Sequence, residues 1–264
     1  MRFALVGANG RMGRAIIRLA VSEGSTLVCA VGVGEIGRDA GELAGTAPLG
    51  VPISDSLAAV ERTRPDVVID FSVPAATLAL APIAATSKIA LVSGTTGLDG
   101  AARAALDRAA LATAVLWEPN MSVGVHVLSQ LVARAAAALA DWDVEVVETH
   151  HRRKEDAPSG TALRLAEVIK GARADDSHYV HGRQGKPGPR SSGEIGLHAL
   201  RGGDAAGDHV VHLFGLGERL ELAHHATTRD IFAQGALRAA RWIVGRGPGR
   251  YGFNDVLGGQ PPAT

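Results

Sequence analysis

Residues 150–162 read HHRRKEDAPSGTA, seven titratable side chains in a row followed by Pro-Ser-Gly-Thr, the pattern of a helix start. In a chain whose charged residues make up only 20% of the total, this is a concentrated patch. Two adjacent imidazoles, His150 and His151, and the ammonium of Lys154 can hold anions and move protons near neutral pH. Backbone N–H groups at Ser159-Gly160-Thr161, with the Thr161 hydroxyl, can bind one carboxylate while the cations bind a second. A lysine or histidine in such a pocket can also donate the proton that accompanies hydride transfer to a polarised double bond. Two blander readings stand beside this one. Charge runs are commonly solvated loops, and paired histidines can ligate metal, although Arg152, Arg153 and Lys154 beside them oppose a divalent ion.

A second stretch able to do chemistry is GANGRMG, with glycines at 7, 10 and 13 directly after an apolar run and at the start of a helical pattern. Glycine there removes the Cβ that would meet a pyrophosphate, and the helix amino terminus offers N–H groups to the anion. The spacing is a variant of the usual dinucleotide fingerprint, and a tight turn without ligand is the alternative. An acidic residue about twenty positions on would hold the ribose of NAD. Here the next strand ends CAVGVGEIG with no carboxylate at its tip, Glu35 comes late, and Arg11 and Arg14 are available to a 2′-phosphate. NADPH and NADH therefore both stay open.

These residues need elements to position them. RFALVG (2–7), TLVCAVG (26–32), PDVVIDFS (65–72), IALVSGTTG (89–97) and TAVLWEPN (113–120) read as five buried strands, with helical stretches near 56–63, 74–86 and 99–112. The alternation predicts a Rossmann-like parallel sheet with helices on both faces and ligands beyond the carboxyl ends of its strands. After a long apolar helix from about 121 the texture changes. DVEVVETHH (143–151) is an alternating strand, 157–172 a helix and 182–193 a Gly/Pro-rich loop. EIGLHALRG, DHVVHLFGLG and RLELAHHATT follow as strands. This predicts a central α+β domain with a mixed, mainly antiparallel sheet. The division expected is 1–121 with 231–264 for the dinucleotide-binding domain and 122–230 for a second domain. A last helix at 230–245 packs on the first domain, and the tail GGQPPAT frays.

Composition narrows the classes. The chain has 264 residues, enough for one large domain or two modest ones, and is 46% hydrophobic with few aromatics. Lys+Arg and Asp+Glu both number 27, which argues against a broad nucleic-acid surface. The single Cys29 excludes a disulfide framework, and no apolar run has signal-peptide or membrane-span length, so the expectation is a soluble cytoplasmic protein with no membrane association. His178, His181, His198, His209, His212, His224 and His225 read as packing or hydrogen-bonding residues of the second domain, and Trp117, Trp142 and Trp242 as core. Arg201 and Asp204 in RGGDAAGD fit an inter-subunit loop or a plain turn equally.

The stretches GANGRMGR, VVIDFSVP, VSGTTG, EPNMSVGV, ETHHRRKEDAPSGTAL and GERLELAHHATTRDIFAQGAL, in this order, resemble the 4-hydroxy-tetrahydrodipicolinate (dihydrodipicolinate) reductase family across nearly the whole chain. The resemblance implies NAD(P)H-dependent reduction in the diaminopimelate route of lysine biosynthesis, a small dicarboxylate substrate, no metal and a homotetramer formed through the central sheet. It implies that Gly7, Ala8, Asn9, Gly10, Arg11 and Met12 cradle the pyrophosphate. Gly94, Thr95, Thr96, Glu118, Pro119, Asn120 and Met121 would line the nicotinamide side. His150 would be the catalytic histidine and Lys154 the proton donor, with His151, Gly160 and Thr161 holding the substrate's carboxylates. Glu155 and Asp156 would orient the loop or cap the helix, while Arg152 and Arg153 add only local potential. Many members carry an acidic residue at the end of the second strand, where this chain has Gly32-Val33, so cofactor choice does not transfer. Two rivals remain: another Rossmann nicotinamide oxidoreductase acting on a small amino or carboxylic acid, and a nucleotide-sensing regulator without chemistry.

Overall fold

A computed structural model describes residues 1–173 and 176–258. The chain divides into two compact units, Met1–Ser122 with Asp230–Thr264, and Val123–Arg229.

The first unit runs β1 (Arg2–Val6), α1 (Arg11–Ser22), β2 (Thr26–Val31), α2 (Ala40–Ala44), β3 (Ile53–Ser54), α3 (Ala58–Thr63), β4 (Val67–Asp70), α4 (Pro74–Ser87), β5 (Ala90–Ser93), α5 (Gly100–Ala110) and β6 (Ala114–Trp117). The second unit holds α6 (Val123–Ala138), β7 (Asp143–His150), α7 (Gly160–Arg173), β8 (His178–His181), β9 (Glu194–Arg201), β10 (Asp208–Phe214) and β11 (Arg219–His225). The chain then returns to the first unit with α8 (Asp230–Ile243), β12 (Gly249–Tyr251) and α9 (Phe253–Val256).

In the first unit seven parallel strands lie in the order β12-β6-β5-β4-β1-β2-β3. Strand order reverses at β1, which puts the carboxyl ends of β1 and β4 at the switch point where such sheets bind ligands. Strands such as VVID and ALVS are buried along their whole length because helices cover both faces. Val68, Leu91 and Val115 meet Leu80 of α4 and Leu106 of α5 on one side, while α1 and α8 pack together on the other. Helix α4 begins at Pro74, a good first-turn residue, and continues through Pro82, whose ring is exposed.

The second unit is a five-stranded sheet, β11-β10-β7-β9-β8. It is mixed, as expected, but antiparallel pairs do not dominate: β10 pairs antiparallel with β11 and β7, whereas β9 pairs parallel with β7 and β8. The helix α7 is the cause, because a crossover after β7 brings the chain back in the same direction. Along β7 the side chains alternate, so Val144 and Val146 face Leu128 and Val132 of α6 and Leu165 and Ile169 of α7. Each such fully buried aliphatic side chain contributes about 1.5–3 kcal/mol.

Five elements were not read from the sequence: α2, β3, β8, β12 and α9. Each is too short to show a period. The three tryptophans are not core. Trp117 and Trp142 are half-buried against the two cores, and Trp242 stacks edge-on to Tyr251 with Arg246 over its ring. Aliphatic side chains from Ala to Leu and Ile fill these interiors instead. Among the described residues no helix is long and apolar enough to cross a membrane. Most of the terminal GGQPPAT segment lies outside the described residues.

Candidate active site

The glycine turn follows β1. Gly7 has φ +83°, and a Cβ there would lie 2.2 Å from the Phe71 carbonyl oxygen, so only glycine fits. A Cβ on Gly13 would lie 2.2 Å from the Gly7 carbonyl oxygen, so this glycine lets α1 press onto the turn. Gly10 caps α1 with no side-chain hydrogen bond, and the first turn carries no acidic residue. The leading N–H groups of α1 therefore meet no competing side-chain anion, which is what a pyrophosphate requires. Gly7, Ala8, Asn9 and Gly10 form this turn, Arg11 and Met12 open α1, and Asn9 Nδ2 donates to the Val33 carbonyl, tying the turn to the end of β2. Beyond β2, Glu35 pairs with Arg38 at 2.5 Å and lies 3.9 Å from Arg14, so the late acid is already met by cations.

The loops after β4 and β5 are organised by a residue that the sequence reading left without a role. Asp70 is fully buried. Its carboxyl group accepts from Thr77 Oγ1 at 2.6 Å, Ser93 Oγ at 2.8 Å, Thr95 Oγ1 at 3.0 Å and Ser72 Oγ. Thr95 accepts in turn from the Ser72 N–H at 3.1 Å, and its carbonyl takes the Trp117 indole N–H at 2.8 Å. The Thr95 side chain thus points inward, while Thr96 is exposed. Gly94 is fixed by contact, since a Cβ would lie 2.3 Å from the Phe71 ring. Glu118 hydrogen-bonds back to Ser93 through its N–H, Pro119 is exposed, and Asn120 Oδ1 accepts from the Ser122 N–H. Met121 is buried at 1% exposure, and its carbonyl runs so close to α8 that Gly235 has no room for a Cβ.

The charged stretch in the second unit starts on β7. Alternation continues the buried face from Val144 and Val146 to Glu148 and then to His150, so an acid and an imidazole share that face. Glu148 is 0% exposed. Its Oε2 meets His150 Nδ1 at 2.6 Å, and its Oε1 accepts from the Ser159 N–H at 3.0 Å. Arg201 completes the set with two bonds, 2.7 Å to Oε2 and 2.8 Å to Oε1. Burial pushes the Glu148 carboxyl up, but the Arg201 fork, His150 and the Ser159 N–H outweigh it and hold it below the ordinary range. An ionised partner at Nδ1 orients the imidazole and turns Nε2 to the opposite edge. That edge lies against Gly207, where a Cβ would come within 2.9 Å of Nε2.

Next to this pair, Ser159 Oγ accepts from the Ala162 N–H at 3.2 Å and caps α7. Gly160 is exposed and Thr161 half-buried on the first turn, which has no acidic residue. Lys154 Nζ sits 2.8 and 2.9 Å from the two carboxylate oxygens of Asp156. Asp156 therefore pairs with Lys154, in keeping with its expected loop-orienting role. His151 Nδ1 accepts from the Arg153 N–H at 3.2 Å. Its desolvation, followed by the charges of Arg229 and Arg153, lowers its pKa. Behind the site, buried His209 contacts Ser159 Oγ through Nε2 at 3.1 Å and meets the His150 ring edge-on. Burial, then the charge of His150, brings its pKa down to about 4.

Glu148 and Arg201 are the residues that sequence reasoning missed. Arg201 is not a free loop arginine: it turns inward onto β7. The parity of Glu148 with two buried valines was a readable signal, whereas Arg201 needs the β7–β9 register, which sets it opposite His150. Among the other histidines, His198 bonds Glu145 at 2.6 Å, in line with a hydrogen-bonding role. Among the described residues no group of three or more His, Cys, Asp or Glu side chains is arranged for a metal ion.

The family model described as "Dihydrodipicolinate reductase, N-terminus" matches residues 1–121, and "Dihydrodipicolinate reductase, C-terminus" matches residues 124–257. The 4-hydroxy-tetrahydrodipicolinate reductase of Methanosarcina mazei is 48% identical over 97% of this chain and 98% of its own. The one from an Anaeromyxobacter species is 49% identical over 96% of both chains. A dipicolinate-bound dihydrodipicolinate reductase from Paenisporosarcina sp. TG-14 shares the fold, with a TM-score of 0.78 at 24% identity over 96% of this chain and 97% of that one. With both halves matched and such relatives covering almost the full length, the chain belongs to the dihydrodipicolinate reductase family, the NAD(P)H-dependent oxidoreductases that reduce 4-hydroxy-tetrahydrodipicolinate in lysine biosynthesis.

Proposed function

We propose that the chain reduces the conjugated cyclic imine left when 4-hydroxy-tetrahydrodipicolinate loses water, with His150 and Lys154 as its proton-handling groups. NAD(P)H, held by Gly7 to Met12 and by the loops at Gly94 to Thr96 and Glu118 to Met121, supplies the hydride. Addition at C4 pushes an electron pair toward C3, and that carbon then needs a proton. Lys154 donates it, and His150, whose Nδ1 is tied to Glu148 at 2.6 Å, orients the substrate and exchanges protons through Nε2. One substrate carboxylate docks on the Gly160 and Thr161 N–H groups and the Thr161 hydroxyl, and His151 helps hold the other. In doing so the substrate takes over Lys154 from Asp156. Charge complementarity and alignment supply most of the rate gain.

The observation that carries this reading is the buried Glu148–His150 pair beside the Ser159-capped start of α7. We further propose a cytoplasmic homotetramer assembled through the central sheet, which size-exclusion chromatography with light scattering tests. For the reaction, freshly made substrate is assayed while NADPH and NADH absorbance are followed separately. Turnover with at least one cofactor is expected. Tight cofactor binding with no turnover of any dicarboxylic imine would instead favour a sensing role.

A further inference from the structure

Arg201 is the last residue of β9, and the parallel register places it opposite His150. Its guanidinium closes on Glu148 with Nη1 at 2.7 Å and Nη2 at 2.8 Å. The same Nη2 donates to the Asp156 carbonyl at 2.7 Å, and Nη1 to the Leu200 carbonyl at 2.7 Å. Glu148 is the partner of His150, and the carboxylate of Asp156 is the partner of Lys154. A single side chain therefore reaches the partner of each proton-handling group.

We propose that Arg201 is a positioning residue that sets His150 and Lys154 together. The inference rests on the reading of those two residues given above. The guanidinium neutralises a buried carboxyl group, which keeps it ionised and in the plane that receives His150 Nδ1–H. It also pins the main chain at Asp156, and so the place where Lys154 waits. Both terminal nitrogens are committed to protein acceptors, which distinguishes Arg201 from an arginine that holds a substrate carboxylate. A lysine cannot replace it, because a point charge cannot bridge two oxygens of Glu148 and a carbonyl at once.

A double-mutant cycle tests this. Arg201→Lys keeps the charge opposite buried Glu148, and thermal unfolding reports whether the fold is kept. For that variant kcat is expected to fall about a hundredfold, as for misplaced catalytic groups, with substrate KM changed less than about threefold. The Kd for NADPH, read by fluorescence titration, stays at the parental value. In His150→Ala or Lys154→Ala backgrounds the same change costs less than it does in the parent, because one of the two groups that Arg201 acts through is gone. Equal losses in the parent and in both backgrounds, or a loss carried wholly by KM, overturn the proposal. Parental turnover in His150→Ala and Lys154→Ala alone overturns the reading of the site itself, and the inference with it.

Discussion

Asn9 occupies the space that a side chain on residue 32 would need: a Cβ built on Gly32 would lie 2.3 Å from Asn9 Oδ1 and 2.9 Å from its Cγ. The glycine turn and the end of β2 are thus stitched together through an asparagine that requires a glycine opposite. This gives a physical reason for the missing acid at the β2 tip. Gly32→Asp is therefore expected to weaken NADH and NADPH alike, by up to about tenfold each, since displacing Asn9 loses its hydrogen bond to the Val33 carbonyl, about 0.5–1.5 kcal/mol. Fluorescence titration with both cofactors measures it, and a selective gain for NADH would contradict the steric argument.

Asp70 offers a second handle on the cofactor unit. Four hydroxyl groups converge on its buried carboxyl group, and two of them, from Ser72 and Thr95, belong to the loops after β4 and β5. Asp70→Asn sets an amide N–H2 against those donors and leaves a buried polar group mispaired, which costs about 1–3 kcal/mol. Chemical denaturation should show that loss, together with weaker NADPH binding. Unchanged binding despite the lost stability would mean that Asp70 supports the sheet but not the cofactor loops.

Lys154→Ala separates chemistry from cofactor binding. Loss of a positioned proton donor lowers kcat by about a hundredfold or more. NADPH affinity, which resides in the other unit, is expected to hold within about twofold, well under 1 kcal/mol. Steady-state kinetics and a binding titration on the same sample give both numbers. Equal losses in the two would remove Lys154 from the substrate side.

His209 makes a pH prediction. In the unfolded chain its imidazole titrates near the ordinary 6.5, and in the folded protein near 4. Between those values the unfolded state binds the extra proton, so stability falls as the pH drops from 6.5 toward 4 and is restored above it. The term amounts to about 3 kcal/mol at most. Urea unfolding at pH 7 and pH 4.5 measures the drop, and it should shrink in His209→Gln. An unaltered drop in that variant would assign the acid sensitivity elsewhere.

Much of this is legible in the sequence. Strands such as VVID and ALVS are apolar throughout because both sheet faces are covered, and that texture can be read directly. The stretch 150–162 announced itself by charge. What stayed hidden depends on three-dimensional register. The two residues of β3 and the three of β12 are too short for any periodicity. Arg201 lies fifty-three positions from Glu148, and only the parallel pairing of β7 with β9 brings them together. Asp70 was visible at a strand end, but the four hydroxyls that surround it come from α4, β5 and the loops after β4 and β5. The parity of Glu148 with Val144 and Val146 is the one clue that a stricter reading of DVEVVETHH would have caught.

Helix α8 lies against β4, β5 and β6, and β12 closes the outer edge of the same sheet, yet both follow residue 229. A ribosome therefore finishes the central unit, core included, while the part of the amino-terminal sheet that α8 covers is still bare beside α1. Translation that stops before residue 230 does not trim a tail. It releases an assembled insert joined to a sheet that lacks its edge strand and one covering helix, with apolar surface open to aggregation.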